Sequence, residues 1–306
     1  MKILIVGGTR FVGKAIVKEL LIEGHDIFLF TRGNNPIPEG VVHIKGDRNR
    51  EEDLKQLSAN PYDVIIDSSG RKLIDTQLII KYTGKPKYRF IYISSAGVYS
   101  RPYILPVNEN CELDPLSRHS GKSDTELWLK NECIPFTSFR PTYIYGPGNY
   151  NPIEKWFFDR ITNNRIIPIP GDGETITQLV HVLDLARAIK MSLNNSISQD
   201  KIYNCSGNEA ITFNGLVKET ISIAGKESNH IKTKYFDIGK LDLKSRKFFP
   251  LRSEHFFTDS SLIENELGWR PKYSIHEGLL DSYQNDYLLK SDQTLDFSQD
   301  DILLGS

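Results

Sequence analysis

Short runs of β-branched and aromatic residues recur through the first half of the chain: Ile3 to Val6, Ile27 to Phe30, Val41 to Ile44, Val64 to Ile66, Phe90 to Ile93 and Phe136 to Phe139. They lack polar alternation, as strands buried on both faces do. A helical pattern from about Val12 to Leu21 follows the first run. The alternation of strand and helix predicts an α/β fold, a doubly wound parallel sheet with helices on both faces. After Arg140 the texture changes. Gly146-Pro147-Gly148 and Pro168-Ile169-Pro170-Gly171 punctuate the chain around Trp156-Phe157-Phe158, which predicts a smaller C-terminal α/β lobe. Residues 1–145 are expected to form the larger domain, with 176–205 returning to it as a strand and a helix (Gln178 to Lys190). Residues 146–175 and 206–290 then form the lobe. Thr212 caps a helix running to about Ala224, Leu262 to Leu267 is another, and the polar stretch 291–306 reads as a tail.

Composition narrows the classes of function. Of 306 residues, 39% are hydrophobic and 25% charged, a globular balance for one large domain or two interleaved ones. Lys and Arg number 38 against 39 Asp and Glu. A whole-protein basic field for coating nucleic acid is therefore ruled out, while a local patch is not. Cys111, Cys133 and Cys205 are too few and too scattered for a disulfide framework or a thiolate zinc site. His25, His43, His119, His181, His230, His255 and His276 are dispersed without metal-ligand spacing, so no metal centre is expected. No apolar run approaches the ~18 residues of a membrane span, and no membrane partner is expected.

Gly7-Gly8-Thr9-Arg10-Phe11-Val12-Gly13 joins the first strand to the first helix. Glycines there permit a tight turn, and the free amides of the helix can receive a phosphate. Two motifs compete. The G-x-x-G-x-x-G form of the dinucleotide fingerprint is met at Gly7 and Gly13, with Arg10 in the middle position. The nucleoside-triphosphate loop fits Gly8, Gly13 and Lys14 until its hydroxyl position, which is Ala15. Val64-Ile65-Ile66-Asp67 resembles a strand ending in a magnesium-binding carboxylate, but Ala15 cannot ligate magnesium, and the dinucleotide reading is preferred. Thr31-Arg32-Gly33 ends the second strand with no acid to bind a ribose 2′-hydroxyl. Arg32 and Arg10 are expected to converge on a 2′-phosphate, which favours NADP over NAD. Asp47-Arg48 is the expected adenine contact, and Ser68 and Ser69 are assigned to the same pocket. Arg10 also sets up the opposite outcome, a blocked pyrophosphate site that retains no dinucleotide.

With this loop in hand, four further segments resemble the extended short-chain dehydrogenases/reductases, the epimerase and dehydratase class with a Rossmann-type NAD(P)-binding fold. They are Ser94-Ser95-Ala96-Gly97-Val98-Tyr99, Arg140-Pro141-Thr142-Tyr143-Ile144-Tyr145-Gly146-Pro147, His181-Val182-Leu183-Asp184-Leu185-Ala186 and Leu267-Gly268-Trp269-Arg270-Pro271. The resemblance implies that Ser95 and Lys122 hold the catalytic positions and that Arg140 and Tyr143 lie beside the nicotinamide. Glu126 falls in step behind Lys122, but the family's tyrosine, four positions before the lysine, is Arg118. Arginine stays protonated and cannot serve as that acid or base. His119 is the remaining catalytic candidate: one residue along a helix it points about 100° away, unless the helix starts one residue later and swings the imidazole into the pocket. The resemblance also implies that Lys122 reaches a cofactor ribose. Within the class, the loop, Ser117-Arg118-His119-Ser120-Gly121-Lys122 and Tyr143 to Pro152 with Trp156-Phe157-Phe158 resemble the chloroplast stem-loop binding proteins and their cyanobacterial relatives.

That resemblance implies RNA binding, endoribonuclease activity, and ribosome or homologous protein partners in transcript-stabilising complexes. The alternative is an NADP-dependent epimerase, dehydratase or reductase acting on a nucleotide sugar, and a third reading is a cofactor-sensing scaffold for protein partners. The chain opens directly into its first strand, so a cytoplasmic bacterial protein is expected, or a stromal one if a transit peptide was removed. Two basic segments carry aromatics beside them, Lys81 to Arg89 and Lys240 to Arg252. Lys85, Lys87, Tyr88, Tyr145, Asn149, Tyr150, Lys244, Arg246 and Arg252 are the candidate substrate or RNA contacts. Metal-assisted cleavage would need clustered carboxylates, for which Asp47, Asp67 and Asp184 are the candidates.

Overall fold

The computed structural model describes residues 1–227, 231–290 and 295–305; His230 and residues 291–294 of the expected tail lie outside them. In chain order the first elements are β1 (Lys2–Val6), α1 (Phe11–Ile22), β2 (Asp26–Thr31), β3 (Val41–Lys45), α2 (Glu51–Leu54), β4 (Val64–Asp67), α3 (Leu73–Thr83), β5 (Arg89–Ile93), α4 (Ser120–Asn131) and β6 (Phe136–Pro141). There follow β7 (Tyr143–Tyr145), α5 (Ile153–Thr162), β8 (Ile167–Pro170), β9 (Ile176–His181), α6 (Val182–Leu193), β10 (Lys201–Cys205), β11 (Ala210–Thr212) and α7 (Phe213–Ile223). The last are β12 (Thr233–Phe236), α8 (Ser261–Leu267), α9 (Ile275–Ser282) and α10 (Ser298–Leu304). Among the described residues no helix is long and apolar enough to cross a membrane.

The chain divides into two units. The first comprises Met1–Thr142, Val182–Ser206 and Thr258–Arg270. Its seven-stranded sheet runs in the order β10-β6-β5-β4-β1-β2-β3 with every pairing parallel. This is the doubly wound order, with its reversal between β1 and β4, where ligands bind in such sheets. The unbroken apolar runs are explained by burial: Ile3, Leu4, Ile5, Val64, Ile65 and Ile66 have no exposed surface. Packed helix pairs, α1 with α6 and α3 with both α2 and α4, flank the sheet.

Three expectations about the boundaries change, the first being that residues 143–145 fall in the second unit. Residues 176–181 stay with the second unit as β9, while α6 and β10 return to the first. Thr258–Arg270 returns as well, because α8 packs on β10 and the buried Trp269 indole donates to the Asp184 carbonyl at 3.0 Å. Two segments singled out in the sequence, around Asp184 and Trp269, are thus one contact.

The second unit holds a three-stranded sheet, β11-β9-β7, and a two-stranded one, β12-β8. Its core is aromatic, with Phe157, Phe158, Phe213 and Phe249 buried. The polar stretch read as a tail includes a helix that docks here. Asp300 of α10 is 1% exposed and forms an ion pair with buried Arg160, whose guanidinium stacks on Trp156 at 3.5 Å. Leu303 is buried too. The anchor combines a buried charge pair with Leu303, and the polar residues around them make hydropathy alone read the segment as solvated.

Removing one partner of such a pair strands the other charge in a dry site. Asp300→Ala should cost about 3 kcal/mol and expose α10 to protease, whereas Arg160→Met/Asp300→Leu should recover most of that loss. Thermal unfolding and limited proteolysis check both; an unchanged melting temperature in Asp300→Ala would remove the clamp from the account of the fold.

Candidate functional site

At the end of β1 the chain turns through Gly7 and Gly8 at φ +100° and +102°, a region closed to most residues with a side chain. Gly13, in the first turn of α1, lies so close that a β-carbon would stand 2.5 Å from the Gly8 Cα and N. The first turn of α1 carries no acid, and the residue before it, Arg10, makes no capping bond to it with its side chain. Its amides therefore suit an anionic ligand. Thr9 and Val12 are half-buried beside them, and Phe11 is buried at φ +33°. Ser68 and Ser69, after β4, line the same turn and donate their hydroxyls to the Val6 carbonyl at 2.9 and 3.3 Å.

Beyond β2 and β3 lies an open cavity of about 340 Å³ lined by Arg32, Lys45, Gly46, Asp47, Arg50 and Asp53. Arg32 is among the lining residues and Arg10 is not. Lys45 and Arg50 supply the further positive charge. Parallel pairing sets Lys45 opposite Thr31, a neighbourhood that residue spacing does not reveal. Asp47 shapes the wall: its amide donates to Asp53 at 2.9 Å and its carboxylate accepts the Asn49 amide at 2.9 Å.

Arg48 is not free to contact an adenine. Its guanidinium donates to both Asp67 oxygens at 2.7 and 2.9 Å and to the Ser69 hydroxyl at 2.7 Å. Asp67 has no exposed surface and also accepts the Ser69 and Gly70 amides at 3.1 and 2.8 Å. Burial raises its pKa, but Arg48 and the two amides outweigh burial and hold the carboxyl below the ordinary carboxylate range. The reading of Asp67 as a magnesium ligand is overturned, because both its oxygens face inward to an arginine. Asp184 is buried and paired with Arg187 at 2.8 Å. Among the described residues no three His, Cys, Asp or Glu side chains group as ligands would.

At the end of β5, Ser95 begins a short 3₁₀ turn, Ala96–Val98, and accepts the Gly97 amide at 3.0 Å. Lys122 of α4 donates to the carbonyls of Ile93 and, at 3.3 Å, Ser94. Burial lowers its pKa to about 8 against the opposing pull of Asp67 and Glu126.

His119 corrects an expectation. The helix starts at Ser120, so His119 stands before it as the N-cap and the 100° step does not apply. Its ring rests on Gly97: a β-carbon there would be 2.9 Å from His119 Nε2 and 3.1 Å from Ser95 Oγ. Exposed Arg118 donates from Nε to His119 Nε2 at 3.0 Å. Tyr99 cannot replace the missing tyrosine. Burial pushes its hydroxyl up, and it donates to Asn204 at 2.6 Å.

Arg140, expected beside the nicotinamide, is 2% exposed, paired with Glu126 at 2.6 Å and bonded to the Tyr99 hydroxyl at 3.1 Å. Tyr143 accepts the Arg252 amide at 2.9 Å within the second unit.

Of the RNA candidates, Tyr145 is 2% exposed and its hydroxyl donates to Ser274 at 3.4 Å, so it is core. Asn149 is buried, closing its turn with bonds to Ile144 and Asn151. Lys85, Lys87, Tyr88 and Tyr150 are exposed, as are Lys244 and Arg246, while Arg252 is half-buried over Phe256. The segment Lys81 to Arg89 is less basic than it reads: Lys81 pairs with Glu51 at 2.7 Å, and Arg89 is buried, donating to Thr137 and Ser198.

Residues 3–206 match the model of the NAD dependent epimerase/dehydratase family, and residues 153–281 that of GDP-mannose 4,6 dehydratase. The chloroplast stem-loop binding protein of 41 kDa b from Arabidopsis thaliana is 41% identical over 99% of this chain and 84% of its own length. A putative UDP-glucose 4-epimerase of Methanocaldococcus jannaschii is 25% identical over 90% of this chain and 95% of its own. Among solved structures, the UDP-glucose 4-epimerase of Thermotoga maritima superposes with a TM-score of 0.78, covering 96% of this chain and 100% of that one at 20% identity. That last likeness speaks for the fold alone. The family match over two thirds of the chain, with the near full-length identity to a stem-loop binding protein, places it: the chain belongs to the NAD dependent epimerase/dehydratase family and, within it, to the family of the chloroplast stem-loop binding proteins.

Proposed function

We propose that the protein is an RNA-associated member of this family, built on an NADP-binding scaffold whose ordinary tyrosine–lysine acid–base pair is gone. The observation that carries the reading is Arg118 in the tyrosine position, in a chain 41% identical over 99% of its length to a stem-loop binding protein. A side chain that stays protonated cannot exchange a proton with substrate near neutral pH.

The residues present fit a dinucleotide. The glycine cradle leaves no room for a β-carbon at Gly13, and the uncapped start of α1 presents amides to a pyrophosphate. Arg32, Lys45 and Arg50 around the cavity beyond β2 suit a 2′-phosphate, which supports NADP over NAD. When bound, the nicotinamide would supply hydride transfer. Of the chain's own groups, Lys122 holds a proton at Nζ with a pKa of about 8 and orients it by two carbonyls. Ser95 Oγ is turned toward Gly97.

A second reading, a working reductase or epimerase on a nucleotide sugar, has one specific observation in its favour. The His119 imidazole, a group suited to proton exchange near neutrality, rests against Gly97 in the Ser95 segment.

Three outcomes are expected. NADP should bind more tightly than NAD by calorimetric titration, and Arg32→Ala should weaken NADP about 10-fold or more while leaving NAD unchanged; tighter NAD binding would overturn the assignment. A stem-loop RNA should be retained on filters in a salt-sensitive manner, and Lys85→Glu/Lys87→Glu should lower both the affinity and the salt slope, the slope by about 2. Retention that ignores salt, or no retention at low salt, would remove the RNA reading. Turnover of UDP-glucose with NADP should stay near background, since losing general acid–base participation costs about 10²- to 10⁴-fold. Robust turnover that His119→Ala abolishes would restore the enzyme with histidine as its acid–base group, whereas activity gained in Arg118→Tyr would mark a retired site.

A further inference from the structure

The second unit contains a cavity of about 240 Å³ that no part of the cofactor reading uses. Its wall comes from the segment leading into α5 and from the turns after α9, and includes Tyr150, Glu154, Lys155, Tyr287 and Lys290. Tyr150 is 58% exposed, and Tyr287, half-buried, stacks on Tyr283 at 5.4 Å, which holds its ring in place. Lys155 and Lys290 are each steadied by a carboxylate four residues away, Asp159 and Asp286, both at 2.6 Å. An ammonium has three donors; Lys155 spends two on the Asp159 oxygens, and each lysine keeps at least one N–H for a ligand.

Glu154 is the unusual member. It is 4% exposed, one oxygen accepts the Gly146 amide at 3.1 Å, and the Ser282 hydroxyl, which also lines the cavity, stands beside the carboxyl. Burial pushes its pKa up to about 7. With two oxygens the carboxyl keeps acceptor capacity that a ligand or water in the cavity can use.

We infer that this cavity takes an unpaired nucleotide, its base beside Tyr150 and Tyr287 with a polar edge toward Glu154, and its phosphate within reach of Lys155 and Lys290. Aromatic rings accept any base by stacking, and flexible lysines accept phosphate without demanding a fixed geometry. The volume admits one base with part of its sugar, and not a duplex. The same chemistry is offered by a free mononucleotide and by an unpaired residue of an RNA loop; the second source rests on the RNA reading above.

The test uses the full chain. Nucleoside 5′-monophosphates, inorganic phosphate and ribose 5-phosphate are titrated by calorimetry with and without saturating NADP, and a single-stranded oligoribonucleotide is photo-crosslinked and mapped. A mononucleotide should bind in the presence of NADP, more tightly than either phosphate control. Tyr150→Ala, a change at an exposed position, should weaken it about 10-fold or more with NADP affinity unchanged. Crosslinks should fall at Tyr150 or Lys155. Displacement of the mononucleotide by NADP, equal binding of ribose 5-phosphate, or indifference to Tyr150→Ala would each overturn the site, even if RNA were retained elsewhere. Mononucleotide binding sensitive to Tyr150, with no RNA retained, would uphold the site for free nucleotide and remove the RNA reading instead.

Discussion

The close approach of α1 to the loop before it governs the first unit. With a β-carbon at Gly13 the helix would collide with the Gly8 backbone at 2.5 Å, so the helix start could not stand over the carboxyl end of β1. That placement aims its amides at the point where the strand order reverses, the crevice in which a parallel sheet binds ligands. The neighbouring loops are fitted to it. Ser68 and Ser69 hang from the Val6 carbonyl, and buried Asp67 draws Arg48 across from the end of β3. The turn after β3 is tied down in this way, so Lys45 and Arg50 open onto the same cavity as Arg32.

A second constraint lies deeper in the same unit. Glu126, Arg140, Tyr99, Asn204 and Ser138 form one buried polar network in which every arginine nitrogen finds an acceptor. A buried charge tolerates this only when it is paired and hydrogen-bonded. Arg140, which the family resemblance assigns to the cofactor pocket, is spent on holding α4 to β6, and the groups at the end of β5 are Ser95, Lys122 and His119, the residue before α4.

In the second unit, an aromatic core carries the packing and charge pairs do the attaching. Arg160 lies between the Trp156 ring and Asp300 and holds α10 against the unit. Glu154, on the same helix, is buried too. Two ionisable side chains on one short helix are buried: Arg160 is paired with Asp300, and Glu154 borders a cavity.

The sequence by itself determined the strands of the large sheet, since runs such as Val64 to Ile66 are apolar throughout only if both faces are covered. It also determined the glycine loop, where three glycines between a strand and a helix leave few other structures, and the arginine at position 118, which is a matter of identity at one position. The tertiary structure decided which charges are available. Arg32 and Arg48 look alike in sequence, yet one faces a cavity and the other is consumed by Asp67. Lys45 joins the site only because parallel pairing brings β3 beside β2. His119 reaches Gly97 only because the helix begins one residue after it. Tyr145 and Asn149 left the surface, and a polar tail became an anchored helix, for the same reason. Burial and pairing of polar groups depend on neighbours distant in the chain, and no local pattern of residues records them.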